Sequence, residues 1–243
     1  MKSFFLALTF LSVLPVPSFL WQGEDRIERA LRWFPVVGGI LGAITFLFFY
    51  TASRFLPEKS AFLISFFFYH LLNGGLHLDG LADFSDAFFG AKKNEVRFKE
   101  ILKDSHIGVM GVIALIFYFF SIFSLSEKIL LSPFFFITFG MSGRASIVIL
   151  ATKSKSLFNE GLGRLFIEKS GTAELFFAIA TYLAVMAYFG NLFLLTAMVV
   201  LILSLIFKFY ILKRFGGFSG DIFGAGCSLI EIIVFVIFAG CQQ

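Results

Sequence analysis

Three aspartates, Asp79, Asp83 and Asp86, stand at positions i, i+4 and i+7 of one short segment. On a helix this spacing places all three carboxylates on one face. Like charges at that spacing repel, and no basic residue lies among them to neutralise them. Hard divalent cations such as Mg²⁺ prefer carboxylate oxygens and usually keep substrate phosphate in their coordination shell. The spacing therefore predicts a Mg²⁺ site; the alternative is an ordinary solvated helix face.

A second group of ionisable residues follows along the chain. Lys103 and Asp104 precede a long apolar stretch, and Arg144 lies inside another. Asp104 is a candidate fourth ligand or general base, and Lys103 and Arg144 are candidate phosphate contacts. The alternative interpretation of this segment is a juxtamembrane anchor with Ser105 as a helix N-cap. An arginine within an apolar span is costly and indicates function, although snorkelling or pairing with the intramembrane Glu231 would also explain it.

Glycine-rich segments supply a further set of candidates. Residues 216–224 contain four glycines, of which Gly217 and Gly220 would allow a close approach of the backbone to a ligand. Ser219 or Asp221 can cap the helix that follows, and a helix N-terminus favours anions. Arg164, in a shorter glycine-containing loop, is a candidate phosphate ligand. His77, two residues before the first aspartate, could serve in acid–base chemistry or in metal ligation.

The elements that must position these residues are apolar helices. Of the 243 residues, 58% are hydrophobic and 15% are charged, and 38 are Phe; a soluble core of this size could not bury so much apolar surface. We predict an all-α, polytopic membrane protein with a single domain over residues 1–243.

Seven stretches are long enough to span a bilayer: 34–53, 60–78, 107–125, 130–150, 172–189, 191–211 and 222–240. Gly190-Asn191 divides the fifth from the sixth, and Asn73-Gly74-Gly75 is expected to weaken or kink the second.

Residues 4–20 are apolar but are interrupted by Pro15 and Pro17. We interpret them as an interfacial or re-entrant segment rather than as an extra span or a cleaved signal peptide. Seven spans place 15 Lys and Arg residues in the loops on one side of the membrane and 3 on the other. The positive-inside rule then places residues 79–106, 151–171 and 212–221 in the cytoplasm.

Nearly all the candidate residues fall on that one side. A transporter alternates access to both sides and tends to keep its polar groups near the midplane, so the distribution favours an enzyme with its active site on the cytoplasmic side of the cell membrane. No compact basic stripe indicates nucleic-acid binding. The partners expected are small-molecule substrates and membrane lipid, and the sequence leaves a homo-oligomer open.

The chain resembles the cobalamin synthases, also called adenosylcobinamide-GDP ribazoletransferases. Three segments carry the resemblance in the right order: His77-Leu-Asp-Gly-Leu-Ala-Asp83 with Asp86, Lys103-Asp-Ser-His-Ile-Gly-Val-Met-Gly-Val112, and Gly216-Gly-Phe-Ser-Gly-Asp-Ile-Phe-Gly-Ala225 with Glu231. Ser219 stands where the family is expected to have threonine, which keeps the hydroxyl. His106 stands where arginine is often expected.

The resemblance implies a Mg²⁺-dependent integral-membrane transferase that joins adenosylcobinamide-GDP to α-ribazole, or to its 5′-phosphate, and releases GMP. On this basis Asp79, Asp83 and Asp86 surround Mg²⁺, and Asp221 is a ligand or an anchor for the ribazole hydroxyl. One rival is a phosphotransferase of CDP-activated lipid alcohols, but those enzymes have Arg after the Ala of the motif, where this chain has Asp83. An ion-coupled transporter is the other rival.

Overall fold

The computed structural model describes residues 2–23, 27–92, 94–126 and 132–241. Within these ranges the chain is helical, with a single isolated bridge between Ser156 and Phe218 and no strand. Its helices are α1 (Lys2–Leu11), α2 (Phe34–Ala52), α3 (Glu58–Leu72), α4 (Leu76–Gly90), α5 (Glu95–Leu102), α6 (Val109–Ser126), α7 (Pro133–Ala151), α8 (Leu162–Lys169), α9 (Thr172–Phe189), α10 (Asn191–Phe215) and α11 (Gly220–Gly240). Short 3₁₀ turns cover Ser18–Leu20 and Ile27–Trp33. The all-α prediction is confirmed.

Six of these helices are long and apolar enough to cross a membrane, and α3 with α4 forms a seventh, bent candidate. The division predicted at Gly190 is confirmed: α9 ends there, and Gly190 adopts φ 122°, a conformation that favours glycine. The predicted fourth span starts at residue 130, which lies outside the described residues. Helix α1 has 10 residues and extends about 15 Å, which is too short to cross; the interfacial or re-entrant position of residues 4–20 stays a prediction.

Helices α3 and α4 meet at an angle of 86°. The break falls at the predicted Asn73-Gly74-Gly75, where Gly74 and Gly75 have φ of 64° and 70°. The pair still runs the length of α11. The Phe62 ring lies 6.0 Å from that of Phe235 near one end, while Gly80 contacts the backbone of Asp221 at the other. We therefore treat α3 and α4 as one broken span.

Helix α7 lies at the centre of the bundle and is buried along almost its whole length. Glycines bring α2 directly against it: a Cβ added to Gly38 would lie 2.1 Å from the carbonyl oxygen of Gly140, and one on Gly42 equally close to that of Phe136. Such small-residue contacts are how membrane helices approach closely. Helices α6, α9 and α10 instead expose most of their apolar side chains, as lipid-facing helices do.

The three loops that carry the candidate residues meet at one end of the bundle, which we call the polar end. Ser156 of the loop between α7 and α8 pairs with Phe218, before α11. Lys103, after α5, places its ammonium 4.8 Å from the centroid of the Phe158 ring. The structure therefore gathers residues 79–106, 151–171 and 212–221 on one side, as the loop charges predicted.

Candidate active site

The crossing of α4 and α11 is the element that builds the site. The two helices run antiparallel and touch through glycines. A Cβ added to Gly80 would lie 2.6 Å from the carbonyl oxygen of Asp221, and one on Gly224 would lie 3.2 Å from the Cα of His77. Because no side chain separates the helices here, His77 and Asp79 of α4 are brought beside Asp221 of α11.

Asp79 and Asp83 lie one turn apart on α4, as predicted, and Asp221 lies beside them. We call these three residues the acidic face. Electrostatic repulsion reaches Asp83 from four other carboxylates, those of Asp79, Asp221, Asp86 and Asp104. Within the described ranges, none of the three residues of the acidic face forms an ion pair with a lysine or arginine.

The chemistry of these donors fits Mg²⁺. Mg²⁺ is commonly held by one or two carboxylates together with waters and substrate phosphates, and Asp79 and Asp83 offer two uncompensated carboxylates. Among the residues that the structure describes, no three His, Cys, Asp or Glu side chains converge on one metal position. The acidic face thus presents oxygen ligands but no closed protein cage.

Asp86 has a different environment from its two neighbours in the motif. Its two carboxylate oxygens accept hydrogen bonds from the backbone N–H groups of Gly108 (2.7 Å) and Gly111 (2.9 Å), at the start of α6. A carboxylate here satisfies free helical N–H groups and complements the helix dipole. Asp86 therefore fastens α4 to α6, and a role as a Mg²⁺ ligand would have to use its remaining lone pairs.

Lys103 and Asp104 lie at the rim of the site. Asp104 is exposed, and its carboxylate hydrogen-bonds the ring Nδ1 (2.7 Å) and the backbone N–H (3.1 Å) of His106. These hydrogen bonds lower the pKa of Asp104, which makes it a weaker base than an ordinary carboxylate. Lys103 packs on Phe158, close to the cavity described next.

A cavity of about 320 Å³ opens beside the acidic face. Five of the predicted residues line it: His77, Arg164, Ser219, Gly220 and Asp221. Ser219 is the N-cap of α11 as predicted, because its hydroxyl accepts the N–H of Ile222 and also donates to Asp221 (3.2 Å). Arg164 donates to Glu168 at 2.6 Å and to the carbonyl of Asn159.

Gly217 does not line this cavity, and its role in substrate binding stays a prediction. A Cβ there would lie 2.7 Å from the carbonyl oxygen of Lys155. The neighbouring Phe218 N–H donates to the same carbonyl at 2.8 Å. The close backbone approach that the glycine allows is therefore made to the chain itself and not to a ligand.

Arg144 does not line the cavity; it pairs with Glu231, the alternative that the sequence had left open, and its contact with a diphosphate stays a prediction. Its side chain is fully buried, and its Nη1 donates to Glu231 Oε1 at 2.7 Å and to the hydroxyl of Tyr69. Glu231 further accepts the hydroxyls of Tyr69 (2.8 Å) and Tyr118 (2.7 Å). A buried charge is stabilised by the nearest opposite charge, and here that charge is Glu231 of α11. We call these four residues the buried polar cluster.

The sequence interpretation missed the aromatic side of the cavity. Phe10, Phe34 and Phe166, from α1, α2 and α8, line it and contact one another with ring centroids 4.8–5.9 Å apart. No signal could single them out, because 38 phenylalanines are spread through the chain and these three come from distant segments. Glu160, which also lines the cavity, was missed as well.

Comparison with known proteins gives one consistent result. A family model described as cobalamin-5-phosphate synthase matches residues 3–239. Relatives named adenosylcobinamide-GDP ribazoletransferase include those of Vibrio parahaemolyticus (32% identical; 100% of this chain and 94% of the relative covered), Caldanaerobacter subterraneus subsp. tengcongensis (31%; 98% and 98%) and Listeria monocytogenes (29%; 96% and 95%). No solved structure matches the chain.

Proposed function

The chain belongs to the cobalamin-5-phosphate synthase family, and from that premise we propose that it is an adenosylcobinamide-GDP ribazoletransferase. It transfers the adenosylcobinamide-phosphate moiety of adenosylcobinamide-GDP to α-ribazole, or to its 5′-phosphate. The observation that carries this proposal is the α4–α11 crossing, which places a ligand-sized cavity against an acidic face. A phosphoryl-type transfer needs these two features, a place for the acceptor and ligands for a cation that binds the diphosphate.

In the proposed reaction a ribose hydroxyl oxygen of the acceptor bonds to the phosphorus that carries cobinamide. The bond from that phosphorus to the bridging oxygen breaks, GMP leaves with the electron pair, and the hydroxyl proton passes to a base. Bound Mg²⁺ would neutralise charge on the diphosphate, held by Asp79 and Asp83. The chain's own residues position the substrates. His77 and Asp221 line the cavity where the hydroxyl would lie, and Lys103 and Arg164 supply positive charge near this cavity.

We further propose that the polar end faces the cytoplasm of a cell-membrane protein. The excess of Lys and Arg in the loops that the structure gathers there supports this orientation. The active site would then be open to water-soluble substrates from one side only.

The test is a turnover assay on purified protein in lipid nanodiscs with adenosylcobinamide-GDP, α-ribazole and Mg²⁺. We expect release of GMP by the wild type. We expect Asp79→Asn and Asp83→Asn to lose about a hundredfold or more in turnover. Each variant removes a negative charge that would hold the Mg²⁺ ion, and this ion would stabilise the charge of the transition state. Glu100→Gln on α5, an exposed carboxylate outside the acidic face, is the matched control and should keep its activity.

Absence of GMP release by a well-folded wild type would refute the proposed function. Asp→Asn variants that keep wild-type turnover at limiting Mg²⁺ would refute the metal assignment alone. The two results are separate because the second requires an active wild-type enzyme.

A further inference from the structure

The cavity at the polar end is lined by a cluster of aromatic rings, which we call the aromatic wall, and by polar side chains, which we call the polar wall. Phe10, Phe34 and Phe166 form the aromatic wall, and their rings contact one another. His77 and Asp221 belong to the polar wall. Aromatic faces bind planar rings by stacking, whereas imidazole and carboxylate groups bind hydroxyls. A ligand that complements both walls has a planar, largely apolar ring at one end and hydroxyls at the other.

His77 adds an independent sign that a ligand belongs here. Its side chain is buried, with 2% of the residue exposed. Within the described part of the chain, its ring Nε2 has no hydrogen-bond partner. Buried polar atoms are nearly always satisfied, so this nitrogen requires a partner that the protein alone does not supply. A ligand hydroxyl would satisfy it once the ring turned toward the cavity, because the nitrogen itself is buried in this structure.

The size of the cavity separates the two substrates of the proposed reaction. Its volume of about 320 Å³ lies at the lower limit of ligand pockets, roughly 300–1,000 Å³. A nucleoside is of this order, whereas a corrinoid macrocycle with its side chains and upper ligand is several times larger. The larger substrate must therefore lie outside the cavity. There, Asp79 and Asp83 of the acidic face are open to its diphosphate.

We propose that this cavity is the acceptor subsite, holding the base of α-ribazole against Phe10, the partly exposed ring that Phe34 and Phe166 pack behind, and its ribose against His77 and Asp221. The inference rests on the proposed function and deepens it. The α4–α11 crossing then divides the two substrates, with the acceptor in the cavity and the cobinamide substrate on the open side, so that the attacking hydroxyl and the diphosphate meet at Asp221.

The first experiment measures KM for each substrate in variants of the aromatic wall. Phe10→Leu removes the partly exposed ring of the aromatic wall, and Phe166→Leu removes a buried ring that packs against it; each keeps an apolar side chain. We expect each to raise KM for α-ribazole about tenfold, the effect of one lost stacking contact, and to leave KM for adenosylcobinamide-GDP unchanged. Phe62→Leu, at an equally buried phenylalanine that packs on Phe235 far from the cavity, is the matched control and should change neither. A rise in KM for adenosylcobinamide-GDP instead would overturn the proposal.

The second experiment needs neither turnover nor a change in the aromatic wall. Ser156 lines the cavity, so a Ser156→Cys variant places a maleimide-reactive thiol there. The exposed Cys241 is replaced by serine, and Cys227 should not react because it is buried. We expect α-ribazole alone to slow labelling at this position and not at Ser53→Cys, which lies at the opposite end. Equal labelling with and without α-ribazole would overturn the acceptor subsite, even if the wild type releases GMP as proposed.

Discussion

Replacing Arg144 by methionine tests whether this arginine stabilises the fold or binds substrate. Its ion pair with Glu231 has both side chains fully buried and an N–O distance of 2.7 Å. Removal of one partner of a buried pair leaves the other charge uncompensated, which costs about 3–5 kcal/mol. For a chain of this size each kcal/mol shifts Tm by roughly 2–4 °C, so we expect Arg144→Met to lower Tm by about 10 °C.

The assay is thermal unfolding in one detergent, followed by size-exclusion chromatography of heated samples. Arg144→Met with Glu231→Leu removes both charges together and should recover most of the lost Tm, because an apolar pair of similar volume is close to neutral. The matched control is Arg97→Met. Arg97 pairs with Glu100 at 3.4 Å on the surface, where an ion pair contributes less than about 1 kcal/mol, so Tm should change by less than about 4 °C.

One result would refute this reasoning. If Arg144→Met kept the wild-type Tm but lost turnover, and if the double variant did not regain it, the arginine would act on the substrate and not on the fold. The stability measurement separates these two roles because a substrate contact leaves Tm unchanged when no substrate is present.

Two further outcomes are expected. Gly80→Ala should separate α4 from α11, because its Cβ would lie 2.6 Å from the carbonyl oxygen of Asp221. Turnover should then fall at least about tenfold. The control is Gly240→Ala, whose Cβ meets open space and which should remain active. The sidedness of the loops is tested in oriented vesicles with single-cysteine variants in a Cys241→Ser background. Lys92→Cys, Lys155→Cys and Lys213→Cys should all be labelled from the cytoplasmic face, and Arg54→Cys from the other face. Labelling of the first three variants from opposite faces would refute the shared polar end.

The helices were predictable because their signals are local. An uninterrupted apolar stretch of about 20 residues has few alternatives to a span, and Gly190 and Asn73-Gly74-Gly75 mark breaks that need no distant partner. The acidic motif was predictable for the same reason, because Asp79 and Asp83 lie one turn apart within a single helix.

The partners of these residues across the bundle were only partly predictable. Glu231 was one candidate partner of Arg144, because it is an acid inside another apolar stretch, but nothing in the sequence decided between it and a substrate phosphate; the structure places the two side chains 2.7 Å apart. The sequence pattern of Asp86 resembles that of Asp79 and Asp83, yet its oxygens bind the backbone of α6. The aromatic wall is assembled from α1, α2 and α8, so it exists only after the fold has formed.

The ion pair between α7 and α11 also has a consequence for biosynthesis. The 87 residues between Arg144 and Glu231 take roughly 4–17 s to synthesise at about 5–20 residues per second. During that interval α7 carries a charge whose counter-ion has not yet been made. The packing around α7 is therefore completed only when the last helix arrives, and a chain truncated before α11 would leave Arg144 without its ion-pair partner.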